Sequence, residues 1–192
     1  MSKVISDREL MCSVRDRTDM RAFEALVERW EGRLGILLVR LTGNMQCACD
    51  LRQETFLRVW KSAGNYKDTY AFSTWVTRIA INLARSNAAK KSRRSENGDG
   101  ITQSPTHIDW VDSVATLEAG DQAASLQPVL NRLAAPEKEL LLLRFQLELT
   151  YPEIAETLGI PETTVKSRMT VLLRRLRDSL TRSGFQRSDL IL

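Results

Sequence analysis

The chain has 192 residues, 43% of them hydrophobic, with 28 basic against 24 acidic side chains and a net charge of +4. That is enough length for one ordinary domain or two small ones, and enough apolar mass for a core, which excludes a wholly disordered or collagen-like chain. Cys12, Cys47, Cys49 and the single His107 supply neither a disulfide framework nor a zinc ligand set, and no cofactor is expected.

Residues 1–94 hold 18 Lys and Arg against 10 Asp and Glu, net +8, and their apolar residues recur at three and four, which predicts helices. Phe23, Leu26, Val27, Trp30, Leu34, Leu37, Leu38 and Leu41 form one series, closed by Gly43 and Asn44. Its aliphatic stretch from Leu34 to Leu41 is short and broken by Arg40, so a soluble, cytoplasmic protein with no membrane insertion is expected. A second helix is predicted from about Cys47 to Ala63. A third begins near Ala71, with Phe72, Trp75, Ile79 and Leu83 on its apolar face, and three packed helices make one domain.

On the second helix Asp50, Gln53, Glu54 and Leu57 fall on one stripe, with Phe56 and Trp60 alongside. A large aromatic flanked by carboxylates suits a protein partner and repels phosphate; the alternative is that both aromatics are core. On the third helix Arg78, Asn82 and Arg85 share the face opposite the apolar stripe, and Lys90, Lys91, Arg93 and Arg94 follow without an acid. Cations beside an amide that can read a base make this a candidate nucleic-acid surface. Asn65, Tyr66, Lys67 and Tyr70 precede it in a predicted loop, where aromatic and amide groups can hold unstacked bases; the alternative is that the tyrosines pack against the helix.

Residues 95–120 lose the periodicity, carry 5 acids and no base, and read as a linker, although Ile108, Trp110, Val111 and Val114 are more apolar than a spacer needs. Helical spacing resumes at Leu126, Val129, Leu130 and Leu133, and Pro136 opens a leucine-rich helix through about Leu147. In "LTYPEIAETLGIPETTVKSRM" Thr150 and Glu153 form a capping box, Gly159 permits a left-handed stop, and Pro161 opens a second helix. This is a helix-turn-helix pattern. The second helix is expected to bury Val165, Met169, Leu172, Leu176 and Leu180. Thr163, Lys166, Ser167, Thr170 and Arg174 then face outward to suit the major groove, while Arg168, Arg175 and Arg177 suit phosphates. The alternative is a solvated basic face on an ordinary helical pair.

In order, "DLRQETFLRVWKS", "FSTWVTRIAINLARS", the acidic segment and "LTYPEIAETLGIPETTVKSR" resemble the extracytoplasmic-function group of bacterial sigma factors, from about Asp7 to Leu180. The resemblance implies an all-α protein of two small helical domains joined by an acidic linker. Residues 1–94 would bind polymerase and recognise the −10 element, 95–120 would be linker, 121–182 would be a helix-turn-helix domain for the −35 element, and 183–192 a tail. Carried over residue by residue, the −10 contacts are Asn65, Tyr66, Lys67, Arg78, Asn82 and Arg85, and the −35 contacts are Thr163, Lys166, Ser167, Arg168, Thr170 and Arg174. Asp50, Gln53, Glu54, Phe56 and Trp60 fall to core RNA polymerase. Implied partners are that enzyme, promoter DNA and an anti-sigma factor, and no enzymatic activity is expected. The chain departs from the family pattern at "NMQCACD" and at Thr170 and Val171, where relatives often carry larger or basic residues. An autonomous helix-turn-helix regulator that needs no polymerase remains the alternative.

Overall fold

The computed structural model describes residues 5–96 and 133–182. Among these residues the chain is all-α, with seven α-helices and no strand, and it divides into two compact units, Met1–Val111 and Asp112–Leu192. The predicted linker beyond Glu96, the helical spacing at Leu126, Val129 and Leu130, and the tail 183–192 lie outside the described residues.

In the first unit α1 (Asp7–Arg17) starts at a reciprocal cap: the Ser6 N–H donates to the Glu9 carboxylate at 2.8 Å, and the Glu9 N–H donates to the Ser6 hydroxyl at 3.2 Å. Thr18, left-handed at φ 53°, ends it, and Asp19 caps α2 (Met20–Thr42). The Asp19 carboxylate accepts from the Ala22 N–H at 3.1 Å and from the Ser13 hydroxyl at 2.8 Å, bonds that hold it below the usual carboxylate range and join α1 to α2. Gly43 stops α2 at φ 64°, and Asn44 caps α3 (Met45–Lys61) by accepting from the Cys47 N–H at 2.8 Å. A 3-10 turn, Ala63–Asn65, then leads toward α4 (Phe72–Glu96).

The helix α2 packs against α1, α3 and α4. Its Leu26, Leu34, Leu37 and Leu38 are fully buried, with Met11 from α1, Val59 from α3, and Val76 and Ala80 from α4. A polar clasp ties the start of α1 to α2: the Asp7 carboxylate accepts from the Trp30 indole N–H at 2.7 Å and from Arg29 at 2.8 Å. The unit thus has four helices where three were expected. The apolar face of α4 also differs from the predicted stripe: Phe72 and Leu83 are buried, but Trp75 and Ile79 are only half-buried. Thr74, Val76, Thr77, Ala80, Ile81 and Ala84 widen the inner face, because α4 meets α1, α2 and α3 at once. Beyond Ala84 the helix leaves the core; Asn87, whose amide donates to the Cys47 sulfur at 3.1 Å, is its last half-buried described side chain.

In the second unit α5 (Ala135–Leu141) has Pro136 in its first turn and widens into a π-turn, Leu142–Gln146, where the Leu147 N–H bonds the Leu142 carbonyl at 3.1 Å. The predicted helix ran unbroken to Leu147. Its four consecutive leucines, Leu140–Leu143, and then Leu147 and Leu149 are all buried, more than one face of a regular 3.6-residue spiral accommodates. Thr150 and Glu153 form the expected capping box at α6 (Tyr151–Leu158), and Gly159 closes that helix at φ 68°. The Pro161 carbonyl accepts the first bonds of α7 (Glu162–Arg182), from the N–H groups of Thr164 and Val165. Leu143, Ile154, Val165, Met169 and Leu172 form the core of this unit.

Leu37→Ala removes a fully buried side chain from the middle of the first core and is expected to destabilise that unit by about 2–5 kcal/mol. Leu57→Ala, at a side chain 51% exposed, is expected to change stability by less than about 0.5 kcal/mol. Urea unfolding of the full chain followed by circular dichroism checks both.

Candidate nucleic-acid interface and protein-docking groove

One outward face belongs to α7. Val165 and Met169 are fully buried and Leu172 and Leu176 nearly so, which turns Thr163, Lys166, Ser167, Arg168, Thr170 and Arg174 to solvent. The predicted inward Leu180 side chain lies outside the described ones. Lys166 pairs with Glu162 at 2.7 Å one turn earlier, an exposed pair that a phosphate or base readily displaces. The Thr170 hydroxyl donates to the Lys166 carbonyl at 2.9 Å. Arg175 pairs with Glu137 at the start of α5, bracing α7 against that helix, and Arg177 is exposed.

A second cationic face belongs to α4. Arg78, Asn82 and Arg85 are all exposed along one side, and Lys90, Lys91 and Arg93 continue it past the core. Asn65 and Lys67 are exposed on the approach to the helix. Tyr66, expected to hold a base, requires correction: only 2% exposed, its ring lies 5.3 Å from Trp75 and 6.5 Å from Phe72. Its hydroxyl donates to the Tyr70 carbonyl at 2.8 Å, and burial pushes the phenol up. To stack on a base it would have to leave the core. Tyr70, 45% exposed, is the open aromatic here, beside a depression of about 360 Å³ that also takes in Arg8, Asp68, Phe72 and Ser73. Arg8 and its exposed ion pair with Asp68 at 3.5 Å leave no trace in the residue pattern, because the two are brought together only by the packing of α1.

The third surface is apolar. Between α2 and α3 runs a groove of about 610 Å³ lined by Met20, Phe23, Val27, Phe56, Leu57 and Trp60 together with Glu31, Arg52 and Gln53. Met20 (53% exposed) and Leu57 (51%) stand open on its rim, and the Phe23 ring lies 5.0 Å from Trp60. Phe56 is the floor rather than the rim, 8% exposed and edge-on to Phe23 at 6.4 Å. Asp50 and Gln53 are exposed, and Glu54 pairs with Arg58 at 2.7 Å. Sequence reasoning found the α3 wall and missed the α2 wall, because Phe23 shares the periodicity of the core leucines.

Cys12, Cys47 and Cys49 are free, partly buried thiols, and burial pushes Cys47 up. No described helix is long and apolar enough to cross a membrane.

Residues 26–94 match the family described as Sigma-70 region 2, and residues 124–176 match Sigma-70, region 4. The ECF RNA polymerase sigma factor SigW of Bacillus subtilis is 30% identical over 174 residues, covering 83% of this chain and 91% of that protein. The RNA polymerase sigma-H factor of Pseudomonas aeruginosa is 29% identical over 170 residues, covering 85% and 88%. Among solved structures, CnrH in complex with the cytosolic domain of CnrY aligns with a TM-score of 0.67 at 21% identity, over 92% of this chain and 97% of that one. The sigma factor RpoE in complex with the anti-sigma factor NepR, from Bartonella quintana, aligns with a TM-score of 0.66 at 21% identity, over 84% and 98%. Those two likenesses concern the fold. With both family regions present, in order, and a relative matched along nearly its whole length, the chain belongs to the extracytoplasmic-function group of the sigma-70 family of RNA polymerase sigma factors.

Proposed function

We propose that this protein binds core RNA polymerase and directs promoter-specific initiation, reading the −35 element as duplex through α7 and capturing bases of the −10 element as single strand at α4. The observation that carries the reading is that three exposed surfaces differ in chemistry: a cationic face on α7, another on α4, and a mainly apolar groove between α2 and α3 whose charged lining is Glu31 from α2 and Arg52 from α3. Phosphate is attracted to the first two, whereas the third offers mainly apolar side chains with opposite charges balanced around them, so the cationic faces suit DNA and the groove suits a protein partner. Lys166, Ser167, Thr163 and Arg174 face bases, Arg168 faces phosphate, and Arg78, Asn82 and Arg85 with Asn65 and Lys67 face the opened strand.

The division of labour follows the domains: residues 1–94 for polymerase and the −10 element, 95–120 as tether, 121–182 for the −35 element. Two helical turns of duplex span roughly 70 Å, and a 26-residue tether reaches at most about 86 Å at ~3.3 Å per residue. The tether has five acids and no base, which sends it to a cationic channel of the partner rather than to DNA. An anti-sigma factor is a further partner, in keeping with the structural neighbour RpoE, which is in complex with the anti-sigma factor NepR. The chain works in the cytoplasm and contributes recognition rather than a catalytic step.

Core polymerase with this protein, presented with a genomic promoter library, is expected to yield discrete mapped start sites; no transcript above core enzyme alone would overturn the proposal. Tight sequence-specific gel shifts by the protein without polymerase would favour an autonomous regulator instead. Trp60→Ala combined with Glu54→Ala is expected to weaken polymerase association at least tenfold, on the scale of an interface hot spot, measured by titration of labelled core enzyme. Lys166→Ala or Asn82→Ala should lower promoter use about 5- to 100-fold while polymerase binding persists, read as transcript yield from the mapped promoter. Arg168→Ala should weaken promoter binding evenly across sequences and reduce the salt slope by about one, measured by binding titrations at several salt concentrations.

A further inference from the structure

We propose that Thr170 and Val171 form an apolar reading spot on α7 that contacts the 5-methyl group of thymine, and so fix one or two thymine positions in the duplex element. The inference rests on the reading of α7 as the duplex reader and adds a specificity that its charges do not supply.

Val171 is 50% exposed. Its neighbours on the same side of α7 are Ser167 one turn before and Arg174 and Arg175 one turn after, all exposed, so it packs into no core. A β-branched side chain loses rotamer freedom in a helix, and this one recovers only part of that cost by burial, since half of its surface stays open. A single exposed valine is ordinary on a protein surface. What distinguishes this one is Thr170. Its hydroxyl donates to the Lys166 carbonyl at 2.9 Å, which turns the oxygen back onto the helix and leaves the γ-methyl as the part that projects. The hydroxyl is therefore engaged, and Thr170 offers a second apolar contact on the outward side of α7, about 100° round the helix from Val171 rather than on the same line.

Lys166, Arg168, Arg174 and Arg177 surround this spot with exposed cations, which bring phosphates to the helix and place the methyl groups against base edges. In the major groove only thymine presents a methyl group, and an apolar side chain is its natural contact. Val171 lies four residues past Ser167, about 6 Å along the axis at ~1.5 Å per residue, or roughly two base-pair steps. The methyl-reading position thus falls within about two base pairs of the base that Ser167 faces.

The test uses the full-length protein with core polymerase. A promoter is selected from duplexes randomised across the upstream element, and each thymine in it is then replaced singly by deoxyuridine, which removes the 5-methyl group and keeps every hydrogen-bonding atom. One or two positions are expected to lose about 3- to 5-fold in holoenzyme binding, the scale of one buried methyl group. That loss should vanish in the Thr170→Ser, Val171→Ala double variant and persist in Lys166→Ala, each compared with its own binding to the thymine promoter. A flat deoxyuridine scan on a specifically bound promoter overturns this inference alone, as does a loss that survives the double variant. Failure of the holoenzyme to select any sequence overturns the promoter-reading proposal itself.

Discussion

The burial of one narrow stripe on α7 governs what the second unit presents to its surroundings. Val165, Met169, Leu172 and Leu176 advance by four, three and four residues and meet Leu143 and Ile154 in a small core. A rigid spiral buried along one line has no freedom left in its other lines. The exposed cations of α7 are therefore aimed by leucine packing several ångströms away, and the Arg175 to Glu137 pair fixes the same helix from its flank. Small cores are sensitive to volume, so the accuracy of this surface depends on methyl groups that never meet a partner.

The first unit meets a harder packing problem, because α4 has to serve as a core helix and as a surface at once. Its first half is wedged among three helices and buries two threonines, Thr74 and Thr77, whose hydroxyls find no hydrogen-bond partner among the described residues. Its second half carries Lys90, Lys91 and Arg93 into solvent. The apolar groove stands on the other side of α3, between that helix and α2. Met20 and Leu57 remain half-exposed there although larger apolar neighbours lie within reach, an arrangement that costs hydration in the free chain and is relieved when a partner covers it.

Much of this was legible where the signal is local. The Thr150 and Glu153 box, the Gly159 stop and the inward stripe of α7 follow from spacing and backbone chemistry alone. The same box, Ser6 with Glu9, opens α1, yet that helix went unread because its apolar residues, Leu10, Met11 and Val14, are too few among charges to show a period. Tyr66 failed for a different reason. A loop residue faces inward or outward according to which rings fold back to it, and Phe72 and Trp75 reach it only through the turn after it, where the Tyr70 N–H donates to the Lys67 carbonyl at 3.1 Å. The α2 wall of the groove was hidden by periodicity itself: Phe23 keeps helical register with the core leucines while standing at their open edge.

The burial of Tyr66 also bears on how a promoter could be opened. Unstacking costs about 1.4 kcal/mol for each base-pair step, and a base stacked on an aromatic side chain returns about 1–3 kcal/mol. With Tyr66 held by Trp75, Phe72 and its bond to the Tyr70 carbonyl, Tyr70 is the exposed tyrosine on the approach to α4. One such contact roughly balances one or two steps and falls short of a bubble of several. On the proposed reading, then, the cations and Asn82 of α4 can hold a strand once it is open, but the free energy that opens it comes from the larger assembly gripped through the α2 and α3 groove. A chain that melted DNA unaided would need a second aromatic at that entrance, and this fold has committed it to the core.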